Sequence, residues 1–279
     1  MPRGFSLHIG INEVDQSHYG FDVPPLQACI NDAEKMFEVA DHFGYASKQI
    51  LRDHEATRDR VKHEIREVSL QMQDGDIFFL TFSGHGSQIP DAGNDPEDED
   101  DGLDETWCLF DGQMLDDELR HLFAGFPQGS RILVLSDSCH SGTAIHEWIH
   151  EFWGWVEGFM SGKNMRFRFL DEQRRKGVVR RNEGFYRQIK EEIRTSPQHP
   201  VVASVCSIAA CQDNQRAVET DTQGAFTDAL LIALGERQDS NYRQLHNEIF
   251  KHIRAIQSPH LFAYGQGVEQ MLKSKAFVI

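Results

Sequence analysis

Apolar positions in the first half of the chain alternate between two rhythms. Phe5–Ile11 is a short, nearly continuous apolar run and reads as a first strand. From Leu26 to Phe43 the rhythm becomes helical through Leu26, Ile30, Ala33, Phe37 and Ala40, and Gly44 marks the C-terminal boundary. Lys48–Arg52 is a candidate short strand. Thr57 can cap a second helix that carries Val61, Ile65, Val68 and Met72 on one face. Asp76–Phe82 and Arg131–Leu135 are continuously hydrophobic, as strands covered on both faces must be, with a helix over roughly Asp116 to Phe123 between them. Repeated βα units of this kind predict an α/β fold, a mostly parallel central sheet with helices on both faces.

Two charged segments interrupt the rhythm. Asp91 to Glu105 holds nine carboxylates, two glycines and no Lys or Arg, and reads as an exposed loop. Lys163 to Arg194 holds eleven Lys or Arg residues, and reads first as solvated surface. Order resumes with a strand at Val201–Val205, a helix from Gly224 to Leu234, and a helix over Asn241–Ile256 with Leu245, Ile249 and Ile253 on one face. Phe262 and the terminal Phe277–Ile279 are expected to supply short strands. There is no internal repeat.

Composition narrows the function. The 279 residues include 44 Asp or Glu against 28 Lys or Arg, a formal net charge of -16. That balance speaks against a nucleic-acid partner, which requires a basic face, and suits cationic ligands. No apolar stretch approaches the ~18 residues of a membrane helix, so no membrane partner is expected, and Met1-Pro2-Arg3-Gly4 runs directly into the first strand without the form of a signal peptide. The five cysteines are odd in number and lack CxxC spacing, which disfavours a disulfide scaffold or a zinc site. A reducing, cytoplasmic setting is expected.

The chemistry concentrates at two strand ends. One strand runs into Ser83-Gly84-His85-Gly86-Ser87 and another into Ser136-Asp137-Ser138-Cys139-His140-Ser141-Gly142. Open α/β sheets form their sites beyond the carboxyl ends of strands, and a thiol with a histidine partner is the minimum apparatus for attack on a carbonyl. His85 precedes Cys139 by 54 residues, close to the separation of about 50 in one class of cysteine peptidase. His140, adjacent to the cysteine, would point elsewhere.

These two motifs resemble those of the metacaspases, caspase-like cysteine peptidases, as do Gly10-Ile-Asn12, Leu26 to Ala33 and Gly224 to Leu230. The resemblance spans nearly all of the chain except about His150 to His199. It implies one caspase-like domain, with a large catalytic part over 1–150, a basic insert or linker over 151–199 and a small part over 200–279. By the same similarity His85 and Cys139 are the catalytic pair, and the N–H groups of Gly86 and Cys139 form the oxyanion hole. Asp32, Ser83 and Asp137 match positions lining an acidic pocket, which implies cleavage after Arg or Lys in protein or peptide substrates. Self-processing would then fall in the basic insert, at Arg174, Arg175, Lys176, Arg180 or Arg181.

The resemblance also raises calcium as an activator, though no cofactor is required for the chemistry. Asp100, Asp101, Asp116 and Asp117 resemble contributors to the family's calcium site. The aspartate expected seven residues after Cys139 is replaced by His146, which should weaken that site. Cys206 and Cys211 read as packed thiols. Trp148, Phe152, Trp153, Trp155 and Phe159 read as one buried or docking helix face, and Trp107 and Cys108 carry no assigned role. A monomer is expected. Two other functions compete: a catalytically idle scaffold that binds partners through the acidic loop or the aromatic face, and hydrolysis or transfer of a non-peptide acyl group.

Overall fold

A computed structural model describes residues 1–20, 22–90, 103–139, 165–197, 199–211, 217–254 and 256–279. The first half runs β1 (Gly4–Gly10), α1 (Gln16–Tyr19), α2 (Cys29–His42), β2 (Ser47–Arg52), α3 (Arg58–Gln71), β3 (Ile77–Ser83), β4 (Gly86–Pro90), β5 (Leu103–Leu109), β6 (Gly112–Leu115), α4 (Asp116–Phe123) and β7 (Arg131–Asp137). The second runs β8 (Arg166–Phe167), α5 (Glu172–Arg181), α6 (Glu183–Thr195), β9 (Ser204–Ala209), β10 (Val218–Glu219), α7 (Ala225–Glu236), α8 (Tyr242–Ile253), β11 (His260–Tyr264) and α9 (Val268–Lys273).

Six strands form the central sheet in the order β11-β9-β7-β3-β1-β2, parallel throughout except for the antiparallel edge strand β11. Successive side chains of a strand point to opposite faces, so the continuous apolar runs feed two cores. Phe78, Leu80, Phe82, Ile132 and Val134 meet α3, α4, α5 and α6 on one face. Ile77, Phe79, Leu133 and Leu135 meet α2, α7, α8 and α9 on the other.

Helix ends follow from local chemistry. Thr57 caps α3 by accepting the N–H of Arg60, and Asn241 caps α8 in a reciprocal box with Gln244. Helices α3 and α4 are joined by a buried charge cluster: Glu118 accepts from Arg58 Nη2 at 2.8 Å and also pairs with Lys62. Burial works against the Glu118 carboxylate, but Arg58 and Lys62 outweigh it and hold its pKa below the ordinary value. Removing one partner strands the others. Glu118→Ala is therefore expected to lower stability by about 3–5 kcal/mol, read by denaturant unfolding.

Several expectations need correction. The strand placed at Val201–Val205 runs at Ser204–Ala209. Phe277–Ile279 is not a strand: Phe277 has φ +63°, outside any extended geometry, and packs fully buried against Phe43 and Phe79. Leu103, Asp104 and Glu105, the end of the supposed acidic loop, begin β5; positions 91–102 lie outside the described residues. The basic insert is more than a solvated linker, since Val178, Tyr186 and Ile189 join the core and Arg168 and Arg175 are buried. The sequence reading missed an antiparallel sheet β4-β5-β6 and a two-stranded ladder β8-β10.

Candidate active site

Strands β3 and β7 pair with Ser83 opposite Asp137. His85 and Cys139, each two residues further on, therefore leave the sheet at the same edge. The two turns touch through their backbones: a Cβ on Gly86 would lie 2.1 Å from the carbonyl oxygen of Cys139, so only glycine permits this approach. A similar approach brings in the third element. At Gly10, the end of β1, a Cβ would meet the Cys29 carbonyl oxygen at 2.5 Å, and this closeness lets the start of α2 carry Asp32 to the sheet edge.

The His85 ring is fixed from one side. Its Nε2 lies 2.9 Å from the carbonyl oxygen of Pro24, and a carbonyl can only accept, so Nε2 carries the proton and Nδ1 keeps a lone pair. Nδ1 is buried and makes no hydrogen bond among the described residues. Burial lowers the imidazole pKa to about 4, the Pro24 contact opposes the shift, and Arg168 and Arg174 add to it. Trp107 and Cys108 prove to be buttresses of this turn. The Cys108 N–H donates to the His85 carbonyl at 3.0 Å, while Trp107 stacks on Phe82 and donates to Ser136 Oγ at 3.1 Å.

Cys139 is fully buried. Beside it the Cys211 thiol donates to the Ser138 carbonyl oxygen at 3.6 Å, and hydrogen bonding with Cys139, together with burial, pushes that thiol well above its ordinary pKa. Cys206 is a buried thiol pushed up to about 12 by burial. Neither has a histidine turn of its own.

The centre of the site is Arg168, whose exposure is 0%. Its Nη2 meets Asp32 Oδ2 at 2.5 Å and Glu219 Oε2 at 3.1 Å. Its Nη1 meets Asp137 Oδ2 at 3.0 Å and donates to Ser83 Oγ at 2.8 Å. Burial opposes the guanidinium charge, but the surrounding acidic groups, Asp137 foremost, outweigh it and raise the Arg168 pKa well above the ordinary value. Asp32 is shifted upward as well, but here burial is the larger effect. Burial pushes its carboxyl up to about 6, Arg168 pulls it back and Asp137 reinforces the rise. The N-terminal end of α7 completes the pocket: Gly224 N–H donates to Asp32 at 3.0 Å, and Thr227 gives Asp137 Oδ2 its N–H at 3.1 Å and its hydroxyl at 2.8 Å.

The backbone of Arg168 is equally engaged. Its carbonyl oxygen accepts the N–H of Gly86 at 3.0 Å and that of Cys139 at 3.2 Å. The structure thus brings Asp32, Ser83, Asp137, Gly86 and Cys139 around one arginine. The sequence reading missed that arginine and the third carboxylate, Glu219. The alternation Arg166-Phe167-Arg168-Phe169 stands out within the basic segment, but nothing in it tells Arg168 from Arg166. Val218-Glu219 carried none.

The other charged residues singled out by the sequence are more scattered. Asp116 and Asp117 open α4, in the field of Asp104 and Glu105, while Asp104 pairs with Lys190 at 2.8 Å. Among the described residues no group of three or more His, Cys, Asp or Glu is arranged to hold a metal. The described carboxylates therefore do not make a calcium site by themselves. Asp100, Asp101, His140, His146 and the aromatic group from Trp148 to Phe159 lie outside the described residues. Arg174, Arg175, Lys176, Arg180 and Arg181 lie in helix α5.

A mostly parallel six-stranded sheet with a histidine turn and a cysteine turn at neighbouring strand ends is the architecture of a caspase-like cysteine peptidase. Comparison with known proteins agrees. A caspase-domain family model matches residues 3–272, and the chain belongs to that family. Metacaspase-1 of Schizosaccharomyces pombe is 27% identical over 91% of this chain and 64% of its own length. Metacaspase-7 of Arabidopsis thaliana is 34% identical over 51% of this chain and 36% of its own. The chain thus spans less than two thirds of the length of these curated relatives. The crystal structure of protein GSU0716 from Geobacter sulfurreducens, 37% identical, matches with a TM-score of 0.84 over 100% of this chain and 99% of that one. Peptidases of this family need no cofactor for catalysis.

Proposed function

We propose that the protein is an endopeptidase hydrolysing peptide bonds after arginine or lysine, with Cys139 as nucleophile and His85 as general base and acid. The observation that carries this reading is the seat of Arg168. A basic side chain lies among three carboxylates while its carbonyl oxygen accepts the N–H groups of Gly86 and Cys139. A substrate residue before the scissile bond needs both contacts at once.

The chemistry follows from the same groups. With its Nε2 proton held by Pro24, His85 offers Nδ1 to take the thiol proton of Cys139. The thiolate attacks the carbonyl carbon, and the charge that gathers on oxygen is met by the two N–H donors, which need no reorganisation. His85 then gives its proton to the departing amine. Water, deprotonated by the same imidazole, hydrolyses the thioester. Asp32, Asp137 and Glu219 choose the substrate by charge, with Ser83 adding a neutral contact.

Hydrolysis of Arg- and Lys-terminated fluorogenic peptides is the test. An Asp-terminated peptide, facing three carboxylates, is expected to be slower by on the order of 10³-fold, and Cys139→Ala to be inactive. Comparable turnover of the Asp peptide would overturn the specificity. The same assay with added calcium or a chelator tests the proposed modulation, the expected result being a rise with calcium that Asp117→Ala removes. We further propose that the protein acts as a monomer in the cytoplasm, where its five buried free thiols stay reduced. Among the described residues no helix is long and apolar enough to cross a membrane.

A further inference from the structure

Strands β7 and β9 deliver a second thiol to the nucleophile. They pair in parallel as far as Ser136 opposite Ala209, and the Ala210 N–H closes the ladder on the Ser136 carbonyl at 2.8 Å. Cys139 lies three residues beyond that last pair on one chain and Cys211 two beyond it on the other. Gln257 holds the β9 end in place: its Nε2 donates to the Ala210 carbonyl at 3.0 Å and its Oε1 accepts the Val218 N–H at 3.3 Å. The Cys211 sulfur therefore rests on the peptide that enters Cys139, 3.6 Å from the Ser138 carbonyl oxygen, and the two thiols are hydrogen-bonded with one another.

We propose that Cys139 and Cys211 join in a reversible disulfide when the enzyme meets a hydroperoxide, with Cys211 as the resolving thiol, and that this bond switches the peptidase off. The inference rests on the endopeptidase reading above, in which Cys139 is the nucleophile. The other three thiols have different neighbours: Cys29 lies 3.6 Å from Glu219 Oε2, Cys108 contacts Tyr19 and Cys206 sits beside Tyr242. The two partners also differ in role. In that reading the Cys139 proton has an acceptor in His85, whereas contact with Cys139 and burial keep the proton on Cys211. Thiolate is the form that oxidants attack, so Cys139 reacts first and Cys211 waits beside it. Both sulfurs are buried, Cys139 at 0% and Cys211 at 6% exposure. An oxidant that reaches them has to be close to water in size, as hydrogen peroxide is.

The step balances with hydrogen peroxide as the sole co-reactant. The Cys139 thiolate, its proton on His85, attacks one peroxide oxygen; the O–O bond breaks, and the departing hydroxide takes the His85 proton and leaves as water. Cys139 is then a sulfenic acid, oxidised by two electrons. Cys211 Sγ attacks that sulfur, the S–O bond breaks, and the hydroxide leaves as water with the Cys211 proton. Two thiols and one peroxide have become one disulfide and two waters. The bond removes the nucleophile, and it also spares Cys139 the irreversible sulfinic acid that further peroxide would make. A dithiol restores both thiols by exchange.

Reduced wild type, Cys211→Ser and Cys139→Ala, each treated with excess hydrogen peroxide and then with dithiothreitol, provide the test. The readouts are intact mass, non-reducing peptide mapping and turnover of an Arg peptide. Oxidised wild type should be lighter by two hydrogens and carry Cys139 and Cys211 in one cross-linked peptide. Its turnover should fall about tenfold or more and return in full with the dithiol. Cys211→Ser keeps a donor for the Ser138 carbonyl and should hydrolyse the peptide when reduced, since hydrolysis gives Cys211 no part. After peroxide it should instead gain two oxygens at Cys139 and stay inactive in the dithiol. Cys139→Ala should form no cross-link at Cys211. Active wild type in which peroxide leaves the two cysteines unjoined would overturn the proposal and leave the endopeptidase reading standing. So would Cys211→Ser that recovers in the dithiol as wild type does. Reduced protein that hydrolyses no basic peptide, even with the cross-link forming, would sink that reading and the switch with it.

Discussion

Gly86→Ala is expected to lower kcat/KM for an arginine peptide by about 10³-fold or more while leaving the fold intact. The added Cβ would lie 2.1 Å from the Cys139 carbonyl oxygen and 2.6 Å from its carbon. Both are backbone atoms of a turn tied to β7, and no flexible side chain is available to yield. Relief has to come from moving the two turns apart, which takes the Gly86 and Cys139 N–H groups off their common target. Loss of a single such donor typically costs 10²–10³-fold, and here two are displaced together. Steady-state kinetics with circular dichroism as a folding check reads the effect. Near wild-type turnover would remove these N–H groups from the mechanism.

Asp32→Asn should weaken capture of arginine peptides by about 10- to 100-fold, chiefly through KM, since a charge-assisted contact is worth roughly 1.5–3 kcal/mol. Its pH dependence separates this from a general defect. Burial raises the Asp32 carboxyl to about 6, so the charge that receives a guanidinium is present above that pH and lost below it. Wild-type KM should climb as the pH is lowered through the range in which Asp32 gains its proton, and the variant should be flatter there. Stability moves the other way. Because the folded value lies above the ordinary 3.8, the native state holds a proton in that interval which the unfolded chain releases. Stability associated with Asp32 is therefore complete below 3.8 and lost as pH rises through 6, reaching a deficit of about 3 kcal/mol near neutrality. An asparagine can still accept the Gly224 N–H, so the variant should melt no lower than wild type at pH 7. A clearly lower melting temperature there would contradict the assignment.

How legible each part was depended on whether its signal was local. Strands β3 and β7 announced themselves because burial on both faces demands unbroken apolar runs, and α4 fell at Asp116–Phe123 as its periodicity indicates. The histidine and cysteine turns were readable because each sets a reactive side chain among small residues directly after an apolar strand. Strand β4 was not. Gly86-Ser-Gln-Ile-Pro90 has neither length nor alternation, and its burial comes from pairing with β5. Phe277 looked like a strand residue because hydrophobicity alone does not report a left-handed φ. Arg168 was lost inside a run of positive charge, where each arginine resembles a solvated one. Only three-dimensional contact with Asp32, Asp137 and Glu219, up to 136 residues away in sequence, separates it from its neighbours.

The sheet order decides what cleavage of one peptide bond in the basic segment before β9 would do to the particle. Strand β9 lies on the far side of that bond from β7, yet the two run side by side at the middle of the sheet, paired from Arg131 with Ser204 to Ser136 with Ala209. Helices α7 and α8 also pack their apolar faces onto strands that precede the bond. The two pieces would share a single interior, and neither could leave without exposing it to water. A clipped molecule should therefore separate into two bands in denaturant but elute from a sizing column at the mass of the uncut chain.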